Sequence, residues 1–543
     1  SKGRKTTPVE GGRFTGDPTN GCEINKVRLE GEKPEYMIND TRMRIDLEKP
    51  LKEGEEREIK INFAFDIPEY GADRMGRLET ENGWIYELAQ WYPRMCVYDD
   101  LNGWNIMPYL GTGEFYLEYG DFQLNITAPA EHIVASSGEL QNPGEVLPDK
   151  LEERYEKAQN SEKTVHIIKE KEVGNIDKTR PKNNGTLTWK YEIQNARDVA
   201  WASSKGFIWD AAKAKMPSGR SVTAMSFYPK ESNGDTAWGR STEYVKASIE
   251  HYSKKWYEYP YSTASNIAGV VGGMEYPSIT FCNWKATESG LWGVTDHEFG
   301  HTWFPMIVGT NERRYVWMDE GMNTFINHYS TLSFNDGEYT ADYEKNRLRF
   351  IETLIDENRE PISTYPDVVQ SQNLGYTAYF KPGYGLILLR EFILGENRFD
   401  EAFKAYIKRW KYKHPTPLDF FNTMENVAGE ELDWFWKGWF YSNKVLDQSV
   451  QDVEYVNNKP EKGALITIKN RNGLVMPVKM TIKTKKGNTE KVRLPVEIWK
   501  RNDEWTFKYD SSSKINSVII DKQHKLPDVN PANNYWPMKK FKK

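Results

Sequence analysis

The stretch VTDHEFGHTWFPMIVGTNERRYVWMDEG, residues 294–321, decides how the middle of this chain folds and which chemistry it can carry. His297 and His301 are four residues apart, and a helix places residues i and i+4 on one face about one turn apart. Two imidazoles can therefore meet one metal ion. Glu298 projects from a neighbouring direction, which suits a proton acceptor beside the metal rather than a ligand.

A third metal ligand is expected at the far end of the same stretch. A catalytic zinc needs three protein ligands and keeps a fourth position open for water. Glu320 follows His301 after 18 intervening residues, and WMDEGMNTF is typical of the start of a second helix. Asp319 and Glu320 also suit the positive end of that helix. These residues predict one Zn²⁺ per chain, held by His297, His301 and Glu320, with Glu298 as general base. The alternative is an amphipathic helix whose two histidines are structural.

Composition indicates a folded protein with several domains. The chain has 543 residues, too many for one hydrophobic core. Its net charge is −6, and basic and acidic residues are interspersed, which argues against nucleic acid as a partner. Cys22, Cys96 and Cys282 are an odd number with no CxxC pair, so a disulfide framework is not expected.

The sequence contains no apolar run of about 18 residues, which predicts no transmembrane segment. It starts at Ser1 with a polar, Gly-rich stretch rather than an apolar leader. A signal peptide removed before Ser1 would make the protein secreted or periplasmic. The compartment and the oligomeric state stay open at this point.

Hydrophobic patterning divides the chain into three parts. Residues 1–205 contain alternating segments such as EIKINFAFDI, and 446–543 return to this alternation, which predicts strands. Residues 206–445 have helical spacing, including a predicted helix over 291–308. Within the first part, the Lys-, Glu-, Asn- and Pro-rich residues 141–186 are expected to form an exposed loop.

The metal motif, the 18-residue gap and Glu320 resemble the gluzincin aminopeptidases, a family typified by aminopeptidase N and the leukotriene-forming epoxide hydrolase. VVGGMEYPSITF, residues 270–281, is similar to the Gly-x-Met-Glu-Asn exopeptidase motif of that family. The resemblance implies a multidomain α+β fold. It comprises an N-terminal β-saddle (1–205), a thermolysin-like, mainly helical catalytic domain (206–445) and a small C-terminal β-sandwich (446–543), with no large helical C-terminal domain.

The resemblance also implies roles for further residues. Glu275 would bind the free α-amine of a substrate, and Gly272 and Gly273 would lie against the substrate backbone. Taken alone, GGMEYP would equally fit a Gly-Gly turn before a strand. Gln90 matches an amine-site residue of the β-saddle only loosely, and a polar residue on a half-buried strand is an equal alternative.

An oxyanion-binding tyrosine is the last residue that the resemblance implies. Tyr379 falls 59 residues after Glu320 in AYFKPGYG, a setting similar to the Tyr-Glu-Lys-Gly of the family. Tyr376 and Tyr384 are nearby rivals.

Three departures from the family pattern indicate a divergent branch. Tyr276 replaces the Asn of the exopeptidase motif, TWFPM at 302–306 replaces Trp-Phe-Gly-Asn, and Asp319 replaces the Asn before the third ligand.

The sequence therefore predicts a zinc-dependent aminopeptidase, a hydrolase that acts on peptides with a free N-terminus. A zinc endopeptidase would share the metal ligands without needing Glu275. The same residues leave open an epoxide hydrolase activity beside the peptidase activity, and also a non-catalytic scaffold. The preferred N-terminal residue depends on a pocket of scattered side chains that the sequence does not identify.

Overall fold

A computed structural model of the chain describes residues 21–69, 74–341 and 343–537, with the backbone alone for 343–347. The ends of the first and third predicted domains, 1–20 and 538–543, lie outside the described residues. Contacts between Cα atoms divide the chain into two compact units. The first unit runs to Tyr339 and includes Tyr365–Asp367 and Ile407–Thr416, and the second comprises the remaining residues.

The first unit begins with small antiparallel sheets and continues into one large mixed sheet. A four-stranded sheet has the order β10-β14-β6-β5, and a three-stranded sheet has the order β11-β13-β9. The strands of this unit are β1 (Glu23–Leu29), β2 (Tyr36–Asn39), β3 (Arg42–Ile45), β4 (Ile59–Ala64), β5 (Gly76–Thr80), β6 (Gly83–Leu88), β7 (Tyr98–Asp99), β8 (Gly103–Trp104), β9 (Gly120–Pro129), β10 (Ile133–Ser136), β11 (Glu139–Leu140), β12 (Val165–Ile168), β13 (Thr186–Ala196), β14 (Trp201–Ser204), β15 (Ile208–Lys215), β16 (Ser221–Tyr228), β17 (Thr263–Gly269), β18 (Gly273–Tyr276) and β19 (Ile279–Asn283).

The large sheet has six strands in the order β12-β15-β16-β17-β19-β18. β17 is parallel to both β16 and β19, whereas β18 returns antiparallel at the edge. β17 is buried along its whole length, as expected for a strand covered on both faces. β18 thus presents the exopeptidase-like motif at a sheet edge.

Residues 141–186 are not the exposed loop that their composition predicted. They include a 12-residue helix, Asp149–Asn160, and the edge strand β12 of the large sheet. Leu151, Tyr155 and Ala158 are buried at helical spacing, so one face of this helix packs on the protein. The prediction was wrong because the polar majority of the segment masked three well-spaced apolar residues.

The helices of the first unit pack on the large sheet and on one another. α4 contacts α5, and α5 contacts α6. The second half of α5 is largely buried, whereas its first turn and Gly293 are exposed. The helices are α1 (Pro143–Val146), α2 (Asp149–Asn160), α3 (Ile176–Thr179), α4 (Ser241–Lys255), α5 (Glu288–Gly300) and α6 (Met322–Ser333).

The second unit combines helices with two antiparallel sheets, ordered β20-β21-β24 and β23-β22-β25-β26. Side chains from both sheets, among them Ile466 and Ile482, share one hydrophobic core. The elements are α7 (Tyr343–Leu354), α8 (Ser371–Gly375), α9 (Lys381–Leu388), α10 (Glu396–Trp410, which ends in the first unit), α11 (Pro417–Ala428), α12 (Asp433–Phe435), β20 (Gln448–Tyr455), β21 (Ala464–Asn470), β22 (Val478–Thr484), β23 (Thr489–Leu494), β24 (Glu504–Tyr509), β25 (Ile515–Ile520) and β26 (Tyr535–Trp536).

The chain is a multidomain α+β protein, as predicted. The division at residues 205 and 445 and the names of the three domains stay predictions. Among the described residues, no helix combines the length and the apolar character needed to span a membrane. The three cysteines are all free.

Candidate metal centre and active site

Elements of the first unit carry the predicted metal ligands. α5 holds His297 and Glu298 near its end, and His301 is the residue that follows it. Glu320 lies in the π-helical turn Trp317–Gly321 that leads directly into α6. Because α5 packs against both α6 and β18, it brings the motif residues and the third predicted ligand to one place.

The three predicted ligands converge on one point. The Nε2 atoms of His297 and His301 are 3.1 Å apart. Oε2 of Glu320 lies 3.2 Å from His297 Nε2 and 3.4 Å from His301 Nε2. A tetrahedral zinc with bonds of about 2.0–2.1 Å needs ligand atoms about 3.3 Å apart. The donor set and its spacing therefore fit Zn²⁺.

Both imidazoles present a lone pair to that point. His297 Nδ1 lies 2.9 Å from Asn327 Oδ1, and His301 Nδ1 lies 2.8 Å from the carbonyl oxygen of Phe304. Since both oxygens only accept, each Nδ1 carries the proton and each Nε2 is an acceptor. Two such acceptors face each other at 3.1 Å, together with a carboxylate oxygen, and this arrangement calls for a cation between them.

A network behind His297 fixes the orientation of its ring. Asn327 Nδ2 donates to the hydroxyl of Tyr252 at 2.8 Å, and Tyr252 donates to Asp296 Oδ2 at 2.8 Å. Asn323 Nδ2 donates to the His297 carbonyl oxygen at 2.8 Å. Partners of this kind set the tautomer and direction of a metal-binding histidine.

The outer partners of His301 lie at two of the three departures from the family pattern. Asp319 Oδ1 is 2.7 Å from His301 Nδ1, so the residue that replaces Asn places a buried carboxylate behind a predicted ligand. Within TWFPM, Phe304 has non-helical torsion angles, and its carbonyl oxygen accepts from the same ring nitrogen. The predicted helix over 291–308 therefore ends early, because the chain leaves the α-helical path around Phe304 and Pro305.

The predicted base and the predicted amine-binding residue lie side by side. Alternation along β18 puts Gly273 and Glu275 on one face. Carboxylate oxygens of Glu275 and Glu298 and a ring nitrogen of His301 lie within 4.8 Å of one another. A Cβ on Gly273 would lie only 2.5 Å from Glu298 Oε1, so the glycine makes room for that carboxylate. Gly272, just before the strand, is exposed.

Burial dominates the electrostatics of the carboxylates. It raises the pKa of Glu275 well above the ordinary range, with His301 opposing and Glu114 adding to the shift. It also raises the pKa of Glu298. Burial has the same tendency at Glu320, but positive charge on protonated His297 and His301, in the place that a metal cation would take, outweighs it and lowers the pKa of Glu320. The predicted ligand is thus the carboxylate best stabilised in its charged form.

More buried acids surround this centre than the sequence indicated. Oxygens of Glu114, Glu312 and Asp319 lie within 4.8 Å of one another. Arg74 pairs with Glu114 at 2.8 Å, and Arg197 pairs with Glu312 at 2.7 Å, all four side chains being at most 9% exposed. Glu275, Glu298 and Glu320, which surround the histidines, bring the number of buried acids to six, beside two buried arginines. The two arginines therefore pair with Glu114 and Glu312, and Asp319 is left to pair with His301.

Gln90 also reaches the motif strand. Its Oε1 accepts from the Tyr276 hydroxyl at 3.0 Å, directly beside Glu275 in the sequence. Gln90 has a φ of 49°, in the left-handed region that non-glycine residues rarely adopt. Tyr276, the third departure from the family pattern, thereby has Gln90 as its hydrogen-bond partner. An Asn at position 276 has a shorter side chain and would need a different geometry to reach Gln90. The role of Gln90 toward a substrate stays a prediction.

Tyr379 lies in the second unit, in the π-helical turn Tyr376–Phe380, and is half-buried. Its rival Tyr376 is buried, and Arg359 Cζ and Lys381 Nζ lie 5.1 and 5.6 Å from the centroid of its ring. The other rival, Tyr384, stacks on Trp439. Both rivals have evident packing roles within the second unit, and the role of Tyr379 stays a prediction.

Sequence reasoning missed Glu114, Arg74, Arg197 and Asn327. Arg74 and Glu114 are 40 residues apart, and Arg197 and Glu312 are 115 apart, so no local spacing connects them. Asn327 follows Glu320 by seven residues, two helical turns, and this spacing on a predicted helix could have identified it. Among the described residues, the other six histidines join no group of three or more potential metal ligands.

Comparisons with known proteins agree with this geometry. Residues 245–439 match the peptidase family M1 domain. Aminopeptidase M1-C of Oryza sativa subsp. japonica is 25% identical over 140 residues, which is 25% of this chain and 16% of the relative. Leucine aminopeptidase 2 of Aspergillus fumigatus is 24% identical over 214 residues, 34% of this chain and 33% of the relative. The chain thus aligns with a third or less of the length of these two relatives.

Solved structures share the fold over more of the chain. Aminopeptidase A of Legionella pneumophila, in complex with aspartic acid, superposes with a TM-score of 0.62 at 15% identity, covering 93% of this chain and 54% of that one. An M1 zinc metallopeptidase from Deinococcus radiodurans gives a TM-score of 0.54 at 15% identity, covering 78% and 84%. At such identities the likeness concerns the fold alone.

The matched domain, 245–439, includes the exopeptidase-like strand, the metal motif and the third predicted ligand. The predicted resemblance to the gluzincin aminopeptidases is thereby confirmed, since residues 245–439 of the chain match the peptidase family M1 domain.

Proposed function

We propose that this protein is a zinc aminopeptidase that removes N-terminal residues from peptides. One observation carries the proposal: the Glu275 carboxylate lies within 4.8 Å of both Glu298 and His301, next to the predicted metal ligands. A carboxylate there can pair with the free ammonium group of a peptide and so hold the first peptide bond at the metal.

The residues of the chain divide the work. His297, His301 and Glu320 would hold the zinc. When bound, zinc supplies a Lewis acid that activates water and polarises a carbonyl group. Glu298, whose pKa is raised by burial, accepts the proton of the attacking water and passes it to the leaving amine. A raised pKa suits this task, because a base that is too weak could not take the proton.

The substrate would be bound from two sides. Glu275 fixes the position of the α-amine, and Gly272 and Gly273 offer backbone close to the peptide. Gln90, held by Tyr276, would border the amine site. Tyr379 would donate to the developing oxyanion, an interaction that typically contributes about 10²–10³ in rate.

A panel of aminoacyl fluorogenic substrates, assayed with and without a chelator, tests the proposal. We expect hydrolysis of substrates with a free amine, loss of activity with the chelator, and recovery with Zn²⁺. N-acetylated substrates should react at least about 10² more slowly, because Glu275 loses its ammonium partner. Equal rates on both would favour an endopeptidase, and a protein that binds no zinc would be a scaffold.

Glu298→Gln separates the metal site from the chemistry. The variant should keep full zinc content and lose at least about 10²-fold in kcat, as expected for a general base. Near-normal turnover would refute the role of Glu298. Glu320→Ala is the matched comparison, since it should lose the metal itself.

A further inference from the structure

Glu87 is a completely buried acid that the proposed mechanism does not use. It lies on β6 in the four-stranded sheet and not at the metal centre. Its Oε2 accepts the backbone N–H of Val271 at 2.9 Å, immediately before Gly272 and Gly273. Oε1 is buried and has no hydrogen-bond partner among the described residues.

The surroundings of Glu87 are shaped to receive its carboxyl group. A Cβ on Gly269 would lie 2.1 Å from Glu87 Cδ, so only glycine is compatible with the carboxyl group there. Gly76 is the ladder partner of Glu87 on β5, and a Cβ there would meet Val270 at 3.0 Å. The side chain of Val270 therefore faces Gly76, and the backbone N–H of Val271 faces the carboxyl group of Glu87.

The residues just after β6 hold the other end of the motif. Three residues after Glu87, Gln90 accepts from the hydroxyl of Tyr276. Residues 271–276 of the motif are thus attached to β6 and the residues after it at both ends, and Glu275 lies between the two attachments. The position of Glu275 is therefore supported by these two attachments in addition to the ladder that β18 forms with β19.

We propose that Glu87 is a positioning residue for the amine-binding segment: its carboxyl group holds the Val271 amide and thereby sets where Gly272, Gly273 and Glu275 meet the substrate. The proposal rests on the proposed aminopeptidase function for its effect on catalysis. Its structural part, the attachment of Val271, stands independently of that function.

The charge state of Glu87 links this attachment to pH. Burial raises the pKa of Glu87 to about 8, against the backbone bonds to Val271 and Val270. The group is therefore protonated and neutral at pH 7. Among the described residues, Cys282 on β19 is a titratable group whose pKa the charge of Glu87 would raise, and burial already holds the pKa of that thiol well above its ordinary range, so it is neutral as well. Above pH 8, a buried and uncompensated charge would develop beneath the segment, which favours its displacement.

Two variants separate the hydrogen bond from the charge. Glu87→Gln keeps an oxygen acceptor for the Val271 N–H at nearly the same size and cannot ionise. Glu87→Leu removes the acceptor and keeps the volume approximately. Asp210→Asn is the control, since Asp210 is also fully buried but bonds Tyr228 and Thr242 away from the motif.

Hydrogen exchange of peptides that cover Val271, corrected for the intrinsic rate at each pH, is the primary measurement. At pH 7 we expect Glu87→Leu to lose at least about tenfold in protection, while Glu87→Gln and the control match the wild type. Between pH 7 and 9.5 the wild type should lose protection that Glu87→Gln retains. Unchanged protection in Glu87→Leu, or the same pH dependence in wild type and Glu87→Gln, would overturn the proposal.

Kinetics with a leucyl aminocoumarin substrate give the second measurement. Glu87→Leu should raise KM about tenfold or more with a smaller change in kcat and full zinc content, because the amine site is displaced and not the metal. The alkaline fall in kcat/KM of the wild type should be absent in Glu87→Gln. If the wild-type protein hydrolyses no substrate, the proposed function fails, and the exchange data still decide the role of Glu87.

Discussion

Gly273→Ala tests how the motif strand and the proposed general base fit together. The added Cβ would lie 2.5 Å from Glu298 Oε1 and 3.3 Å from Val294 Cγ2. Ordinary contact begins at 3.4 Å, so the carboxylate must retreat by 3.4 − 2.5 = 0.9 Å, or the strand must shift by the same amount. The backbone of Gly273 does not have a positive φ, so alanine adds no torsional strain there.

A displacement of about 1 Å at a reacting group can cost about 10² in rate. We therefore expect kcat of Gly273→Ala to fall about 10²-fold, which corresponds to about 2.7 kcal/mol in the activation barrier. Zinc content should not change, because the Cβ approaches Glu298 and not a ligand. The assay is steady-state kinetics on an aminoacyl fluorogenic substrate, with zinc measured by elemental analysis.

Two other glycines provide matched comparisons. Gly293 lies on the same helix as Glu298, is exposed, and a Cβ there meets nothing within 4 Å, so Gly293→Ala should leave kcat and KM at wild-type values. Gly272→Ala, whose Cβ also meets nothing, can act only through the bound peptide and should change KM rather than kcat. A kcat of Gly273→Ala within about threefold of wild type would refute the reasoning.

Three further predictions concern the metal, the buried acid and the oxyanion. Asp319→Asn replaces the carboxyl group that lies behind His301 with an amide, so the Kd for Zn²⁺ should rise about tenfold in a chelator competition. An unchanged Kd would contradict the role of Asp319 in orienting His301. The pKa of Glu87 is 4.5 in the unfolded chain and about 8 in the folded protein. The neutral carboxyl group therefore contributes its full share to the free energy of unfolding below pH 4.5, and this contribution is lost as the pH rises to about 8. This change is at most 3.5 × 1.36, or about 5 kcal/mol, and thermal melts at pH 5 and 9 should show a smaller loss of Tm in Glu87→Gln than in wild type. Tyr379→Phe should lower kcat about 10²-fold with KM and zinc retained, whereas a normal kcat would exclude Tyr379.

Residues close together in the sequence made the centre predictable. The spacing of His297 and His301 follows from helix geometry alone, and the resemblance supplied the roles of Glu275 and Tyr379. The structure brings His297, His301 and Glu320 together with Glu298 and Glu275, as the sequence analysis expected. Helical periodicity failed where a local backbone feature overrides it, as at Phe304, where the helix over 291–308 breaks, and where polar composition hid it, as in α2.

Residues that act across the fold were not predictable. Glu87 belongs to an N-terminal sheet yet bonds Val271, 184 residues later, and Arg74 and Glu114 pair beside a centre formed after residue 270. An alternating strand pattern marks which face of β6 is inward but not which element lies there. From the sequence, a Glu at an inward position of a strand looks like an exception to the apolar pattern. Its role becomes visible only when the structure shows that Glu87 bonds the segment at Val271.

The charge of the centre supplies an argument that the motifs alone do not. Six buried carboxylates and two buried arginines leave a formal excess of four negative charges, since 6 − 2 = 4. A zinc ion would offset two and a substrate ammonium one, so the occupied centre would retain about one negative charge. Proton transfer from the attacking water to Glu298, the proposed base, would move a proton within the centre and leave its total charge unchanged. The acids that raise one another's pKa therefore make the same region receptive to a metal, to a free amine and to a transferred proton.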